Sequence, residues 1–122
     1  MVGYNMGTVE SYFADIVWER EPLSTSELIE ICKEKFNWKR TTTYTVLKRL
    51  CEGGVFKLEN STVTSLISRE NFYSAKSENF INESFKGSLP AFFAAFTKRK
   101  KLTKEEITEI KAMIDAYDKE NR

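Results

Sequence analysis

Arg40-Thr41-Thr42-Thr43-Tyr44-Thr45-Val46-Leu47-Lys48-Arg49-Leu50, closed by Cys51-Glu52-Gly53-Gly54, is the stretch whose reading decides the fold. Val46, Leu47, Leu50 and Cys51 recur at helical spacing and make one apolar stripe. The opposite face carries Thr41, Thr42, Thr45, Lys48, Arg49 and Glu52. Hydroxyls beside cations on an exposed helix have the chemistry of a major-groove reader, because Thr bonds phosphates and base edges while Arg matches guanine. Gly53-Gly54 predicts a tight stop.

Upstream, Val9, Tyr12, Phe13, Ile16 and Val17 form an i, i+3, i+4, i+7, i+8 stripe that predicts a first amphipathic helix ending near Trp18 to Arg20. Residues 1–7 read as a loose leader, and Pro22 breaks the helix. Ser24 and Glu27 stand at capping-box spacing and open a second helix that runs to about Phe36, burying Leu28, Ile31 or Cys32, and Phe36. A short turn, Asn37 to Lys39, then leads into the quoted stretch.

Downstream, Val55 to Leu58 and Thr62 to Ile67 are rich in β-branched and aromatic residues, with Asn60-Ser61 between them as a turn. Three helices and a hairpin are the layout of a winged helix-turn-helix. A two-stranded hairpin is not stable alone in water, so it must pack on the helices.

A second region begins near Glu70. A helix to about Phe85 is expected to turn Tyr73, Phe80, Ile81 and Phe85 inward, with Gly87 as its stop. Ser88-Leu89-Pro90 opens a short aromatic helix, and Thr103-Lys104-Glu105-Glu106 is a second capping box. Five of the nine phenylalanines fall between Phe80 and Phe96, yet short helices bury little surface by themselves. Leu89, Phe92, Phe93 and Phe96, with Ile107, Ile110, Ile114 and Tyr117 on the last helix, are therefore expected to form a core shared between two copies. The expected fold class is mainly α with a small antiparallel β-hairpin. A winged helix-turn-helix domain over residues 1–69 is followed by a helical dimerisation domain over residues 70–122.

Composition narrows the function. The net charge is only +1, so any DNA contact must come from a local basic surface rather than bulk charge. Histidine is absent, and so are a glycine-rich phosphate loop and a Gly-flanked Ser nucleophile, which argues against an enzyme. Cys32 and Cys51, the only cysteines, match no zinc or disulfide spacing, so no metal or other cofactor is expected. Both lie on apolar stripes and read as structural thiols. No targeting or membrane segment is visible, and an intracellular, cytoplasmic setting follows as the expectation. Lys98-Arg99-Lys100-Lys101 reads as a solvated loop that could also attract an acidic partner.

With these pieces in order, the chain resembles the penicillinase and methicillin-resistance repressors and the copper-responsive repressor, the BlaI/MecI/CopY family. The resemblance runs from about Val9 to Tyr117. It rests on Val17-Trp18, Ser26-Glu27-Leu28, Thr41-Thr42-x-x-Thr45-Val46-Leu47-x-Arg49-Leu50-x-x-Gly53/Gly54, Phe80-Ile81-x-x-x-Phe85-x-Gly87-Ser88, and Leu102-Thr103-x-Glu105-Glu106-Ile107. It implies a homodimeric winged-helix repressor on an inverted-repeat double-stranded DNA operator of resistance or stress genes. It also implies a sensor-linked protease that cuts the C-terminal region, at the pair matching Ala95-Phe96. The family's proteolysed members have Asn-Phe there, and the copper-sensing member's C-terminal cysteine cluster has no counterpart in this chain. The penicillinase-type Arg of the recognition helix aligns with Tyr44.

The candidate DNA-binding residues are thus Trp38, Lys39, Arg40, Thr41, Thr42, Tyr44, Thr45, Lys48 and Arg49. Thr42, Tyr44 and Thr45 are assigned to base edges; Lys39, Arg40 and Arg49 are assigned to phosphates, beside the N–H groups that open the helix. Lys48 and Arg49 also suit a last helical turn, where cations favour the helix dipole. Two other readings remain at this level. One is a winged-helix protein-interaction module, favoured by a hairpin tip (Glu59 to Thr62) without a cation. The other is a small-molecule-responsive regulator, with the C-terminal aromatics forming a ligand pocket.

Overall fold

The computed structural model describes residues 5–122. Residues 1–4 of the expected leader lie outside the described residues, and residues 5–7 carry no regular structure. Helix α1 (Thr8–Arg20) starts where Glu10 Oε1 accepts the N–H of Gly7 at 3.1 Å. Its buried face is rotated from the expected stripe. Phe13, Ala14 and Val17 are fully buried and Ile16 nearly so, whereas Val9 and Tyr12 are about half exposed. The difference is tertiary in origin: α1 packs on the sheet, and the side that meets it includes the small Ala14 rather than Val9.

Leu23–Ser24 forms a short strand, β1. Ser24 then caps α2 (Thr25–Phe36): its hydroxyl oxygen accepts from Glu27 N–H at 3.1 Å, and Glu27 Oε1 accepts from Ser24 N–H at 3.1 Å. This is the reciprocal box read from the sequence, worth about 1 kcal/mol. Leu28 and Cys32 are buried, while Ile31 and Phe36 are only partly covered. Asn37 ends the helix in the left-handed conformation (φ 56), and a three-residue turn leads to α3 (Arg40–Glu52).

Strands β2 (Phe56–Glu59) and β3 (Thr62–Ser65) pair antiparallel, with Leu58 opposite Val63. Asn60 and Ser61 both have positive φ (53 and 59), the primed turn whose twist matches a two-residue hairpin. The sheet gains a third strand not foreseen, because β1 pairs with β3 and places Leu23 opposite Val63. Glu21 locks this corner: its carboxylate accepts from the Ser65 N–H at 2.9 Å and from the Ser65 hydroxyl at 2.7 Å.

Helix α4 (Arg69–Phe85) sends Phe72, fully buried, into the same core. Trp18 gathers Phe56, Phe72 and Tyr73 at ring-centroid distances of 5.5–6.2 Å and donates its Nε1–H to the Ile67 carbonyl at 2.9 Å. The chain divides into two packing units, one ending at Asn79 and one running from Phe80 to Arg122. Phe72 and Tyr73 extend the first unit beyond residue 69, into α4.

The second unit holds the end of α4, then α5 (Leu89–Arg99) and α6 (Lys104–Glu120). Both later helices begin at the expected caps. Ser88 Oγ accepts from Ala91 N–H at 3.1 Å, and Thr103 and Glu106 form a reciprocal box at 3.0 and 2.9 Å. Phe80 is half exposed and Phe85 only partly covered, so the inward placement expected for them is incomplete. The architecture is a winged helix-turn-helix followed by a helical C-terminal region, as the sequence indicated.

Candidate nucleic-acid interface

Helix α3 is amphipathic in a specific sense. Thr43, Val46, Leu47 and Leu50 are buried and define its inner side. At 100° per residue, Thr41, Thr45 and Lys48 fall diametrically opposite, and all three are exposed. Thr42 and Arg49, also exposed, flank this face on one side. Tyr44 and Cys51, each half-buried, flank it on the other. The hydroxyl- and cation-bearing surface therefore points away from the core, with the exposed Glu52 at its C-terminal end.

The start of α3 is distinctive. Lys39 occupies the N-cap with extended backbone and makes no side-chain cap, and the first turn holds no acid. Arg40 follows, its guanidinium 5.6 Å from the Tyr44 ring centroid. The leading N–H groups of the helix thus lie beside two cations, a suitable setting for an anion. Thr45 donates its hydroxyl proton to the Thr41 carbonyl at 2.9 Å, so its oxygen is oriented chiefly as an acceptor.

Two candidates are engaged within the fold. The Trp38 ring packs on Phe36 at 4.8 Å and Phe13 at 6.0 Å, so core packing accounts for most of its surface. Arg49 donates from its NH1 group to Glu10 Oε2 at 2.9 Å while its side chain stays 54% exposed. Sequence reading missed Glu10, which comes from α1, and missed that Thr43 faces inward. Thr43 Oγ1 is buried, and among the described residues it finds no hydrogen-bond partner of ordinary geometry. It adjoins the Cys32 thiol, which burial pushes up to about 11 against a smaller lowering from that hydroxyl. Burial also raises Cys51. Neither thiol is a thiolate at neutral pH.

At the hairpin, Lys57 is paired with Glu59 at 3.5 Å, and the tip itself is exposed. In the second unit, Leu89, Phe92, Phe93, Ile107, Ile110 and Ile114 line an open, almost wholly apolar cleft of about 610 Å³. Phe92 stands at the hub of an aromatic cluster, with Phe80, Phe85 and Phe96 at 5.6–6.1 Å. Phe93, Phe96, Ile114 and Tyr117 are 45–68% exposed. Ala95 and Phe96 lie inside α5, in regular helix. Among the described residues no helix is long and apolar enough to cross a membrane. No group of three His, Cys, Asp or Glu among them is placed to hold a metal ion.

Comparison with known proteins extends over nearly the whole chain. The penicillinase repressor family model matches residues 6–116. The methicillin resistance regulatory protein MecI of Staphylococcus aureus is 26% identical over 116 residues, covering 92% of this chain and 94% of that protein. MecI of Mammaliicoccus sciuri is 25% identical over the same extent. The penicillinase repressor of Bacillus licheniformis is 24% identical over 106 residues, covering 84% of this chain and 83% of its own length. With its helix-turn-helix intact and a family match spanning both packing units, the chain belongs to the penicillinase repressor family, whose members are transcriptional repressors and not enzymes.

Proposed function

We propose that this chain represses transcription as a homodimer, with each α3 laid in the major groove of an inverted-repeat DNA operator. The observation that carries the reading is the outward face of α3, where Thr41, Thr45 and Lys48 lie opposite a fully buried stripe. Two such helices in successive grooves sit about 34 Å apart along the duplex. Lys39, Arg40 and Arg49 contact phosphates, and affinity falls with salt as counterions are released. Thr42, Tyr44 and Thr45 read base edges.

Residues 1–69 form the DNA-binding domain in this reading, with Phe72 and Tyr73 anchoring α4 to it, and the rest of residues 70–122 supplies the dimer contacts. The apolar cleft of the second unit supports that role. Apart from Lys111 its lining is apolar and offers little to orient a small ligand, whereas a partner's Phe and Ile side chains need no polar group. Cleavage at Ala95-Phe96 by a sensor-linked protease is part of the same proposal. It requires α5 to open locally first, since a protease takes an extended segment.

The test is selection from a labelled pool of random duplexes, followed by comparison of selected and random DNA. The wild-type chain is expected to enrich a palindrome. Thr45→Ala is expected to narrow the gap between selected and random duplex by about 1 kcal/mol. Failure to enrich any sequence overturns the reading and favours the protein-interaction alternative. Equal losses on both duplexes remove Thr45 from the base contacts.

A further inference from the structure

We propose that Glu10 is a positioning residue for DNA binding, holding the Arg49 guanidinium where it meets a phosphate. The inference rests on the operator-binding reading given above. Glu10 sits in the first turn of α1 and Arg49 in the last turn of α3, 39 residues apart in sequence. One carboxylate serves both places. Oε1 accepts the Gly7 N–H at 3.1 Å and closes the start of α1, while Oε2 accepts from Arg49 NH1 at 2.9 Å.

The two partners differ in burial, and that asymmetry assigns the roles. The Glu10 side chain is 15% exposed and tied to backbone, so it is the fixed member. The Arg49 side chain is 54% exposed, so its head group remains within reach of an approaching anion. An exposed arginine without such a tether samples many rotamers and loses that freedom when it binds. A tether formed during folding removes most of this loss from the binding step, which is preorganisation. The planar guanidinium suits both partners at once, since its five N–H donors can serve a carboxylate on one edge and a phosphate on another.

A negative charge beside a phosphate contact also has an opposite effect, because it competes for the cation. The sign of a substitution at Glu10 separates the two effects. If positioning dominates, removing the carboxylate weakens DNA binding; if competition dominates, it strengthens binding.

The experiment is a double-mutant cycle on operator affinity, measured by fluorescence anisotropy across a salt series with wild type, Glu10→Ala, Glu10→Gln, Arg49→Ala and the Glu10→Ala/Arg49→Ala double variant. Arg49→Ala is expected to lower the salt slope by about one. Glu10→Ala is expected to weaken binding roughly five- to tenfold with part of the same change in slope. The double variant is expected to bind no worse than Arg49→Ala alone, because Glu10 acts only through Arg49. Glu10→Gln, which keeps one acceptor oxygen and so can hold only one of the two hydrogen bonds, is expected to fall between wild type and Glu10→Ala.

Tighter binding by either Glu10 variant overturns the proposal in favour of competition. Equal losses from Glu10→Ala in the wild-type and Arg49→Ala backgrounds overturn it in favour of a purely structural role. Normal binding by Arg49→Ala overturns the proposal while leaving the operator reading intact. A wild-type chain that binds no duplex overturns both.

Discussion

The two packing units use the same kind of apolar periodicity and reach opposite ends. The first, through Asn79, closes upon itself: Phe13, Val17, Leu28, Leu50, Val55, Phe56, Val63 and Phe72 are all essentially inaccessible to water. The second, from Phe80 onward, is richer in phenylalanine and buries none of its residues fully within a single chain. Architecture makes the difference. Three helices, the start of α4 and a sheet approach the first core from several sides, so each apolar stripe finds a lid. Two helices and a helix end have too few faces to cover one another. A stripe such as Phe93, Ile107 and Ile114 therefore has the periodicity of a core and the exposure of a surface.

The sharpest way to break this contrast is to remove an anchor from each side. Phe56→Ala should cost the first unit about 3–5 kcal/mol, read by thermal or urea unfolding, since the ring is buried against Trp18 and cannot be replaced by water. A loss under 1 kcal/mol would mean that this core is loosely packed. Phe93→Asp, in the second unit, should leave that first transition unchanged and weaken self-association at least ~100-fold, because a charge would enter an apolar contact. Sedimentation of the variant as a dimer at micromolar concentration would place Phe93 outside the interface. The smallest effect belongs to the hairpin. Ser61→Gly should stabilise the first unit by about 0.5–1 kcal/mol, because Ser61 holds a positive φ that glycine adopts without strain. No gain would show that the loop's unfolded-state entropy matches the strain relieved.

Legibility follows range. Features written in adjacent residues were plain in the sequence: the Ser24–Glu27 and Thr103–Glu106 boxes, the Asn60-Ser61 turn, and Val46, Leu47 and Leu50 on the inner side of α3, where Thr43 takes the place expected for Cys51, itself only half-buried. Features that need a distant partner were not. Leu23–Ser24 is a strand only because Val63 and Thr62 lie beside it. Val9 and Tyr12 repeat with helical period yet face outward, because the period gives the stripe's spacing and not which neighbour will cover it. Phe72 falls in the stretch expected to belong to the C-terminal region, yet it packs against Trp18 in the first core. The outward residues of α3 were legible individually, but the Arg49 tether was not, since no pattern within α3 points to Glu10.

Trp18 and Trp38, the chain's two indoles, both belong to the first unit, one clamped at the hairpin and α4, the other against Phe13 and Phe36. Excitation at the red edge of the near ultraviolet therefore illuminates that unit alone. Emission becomes a private optical channel for the helix-turn-helix, while far-ultraviolet circular dichroism records the helices of both.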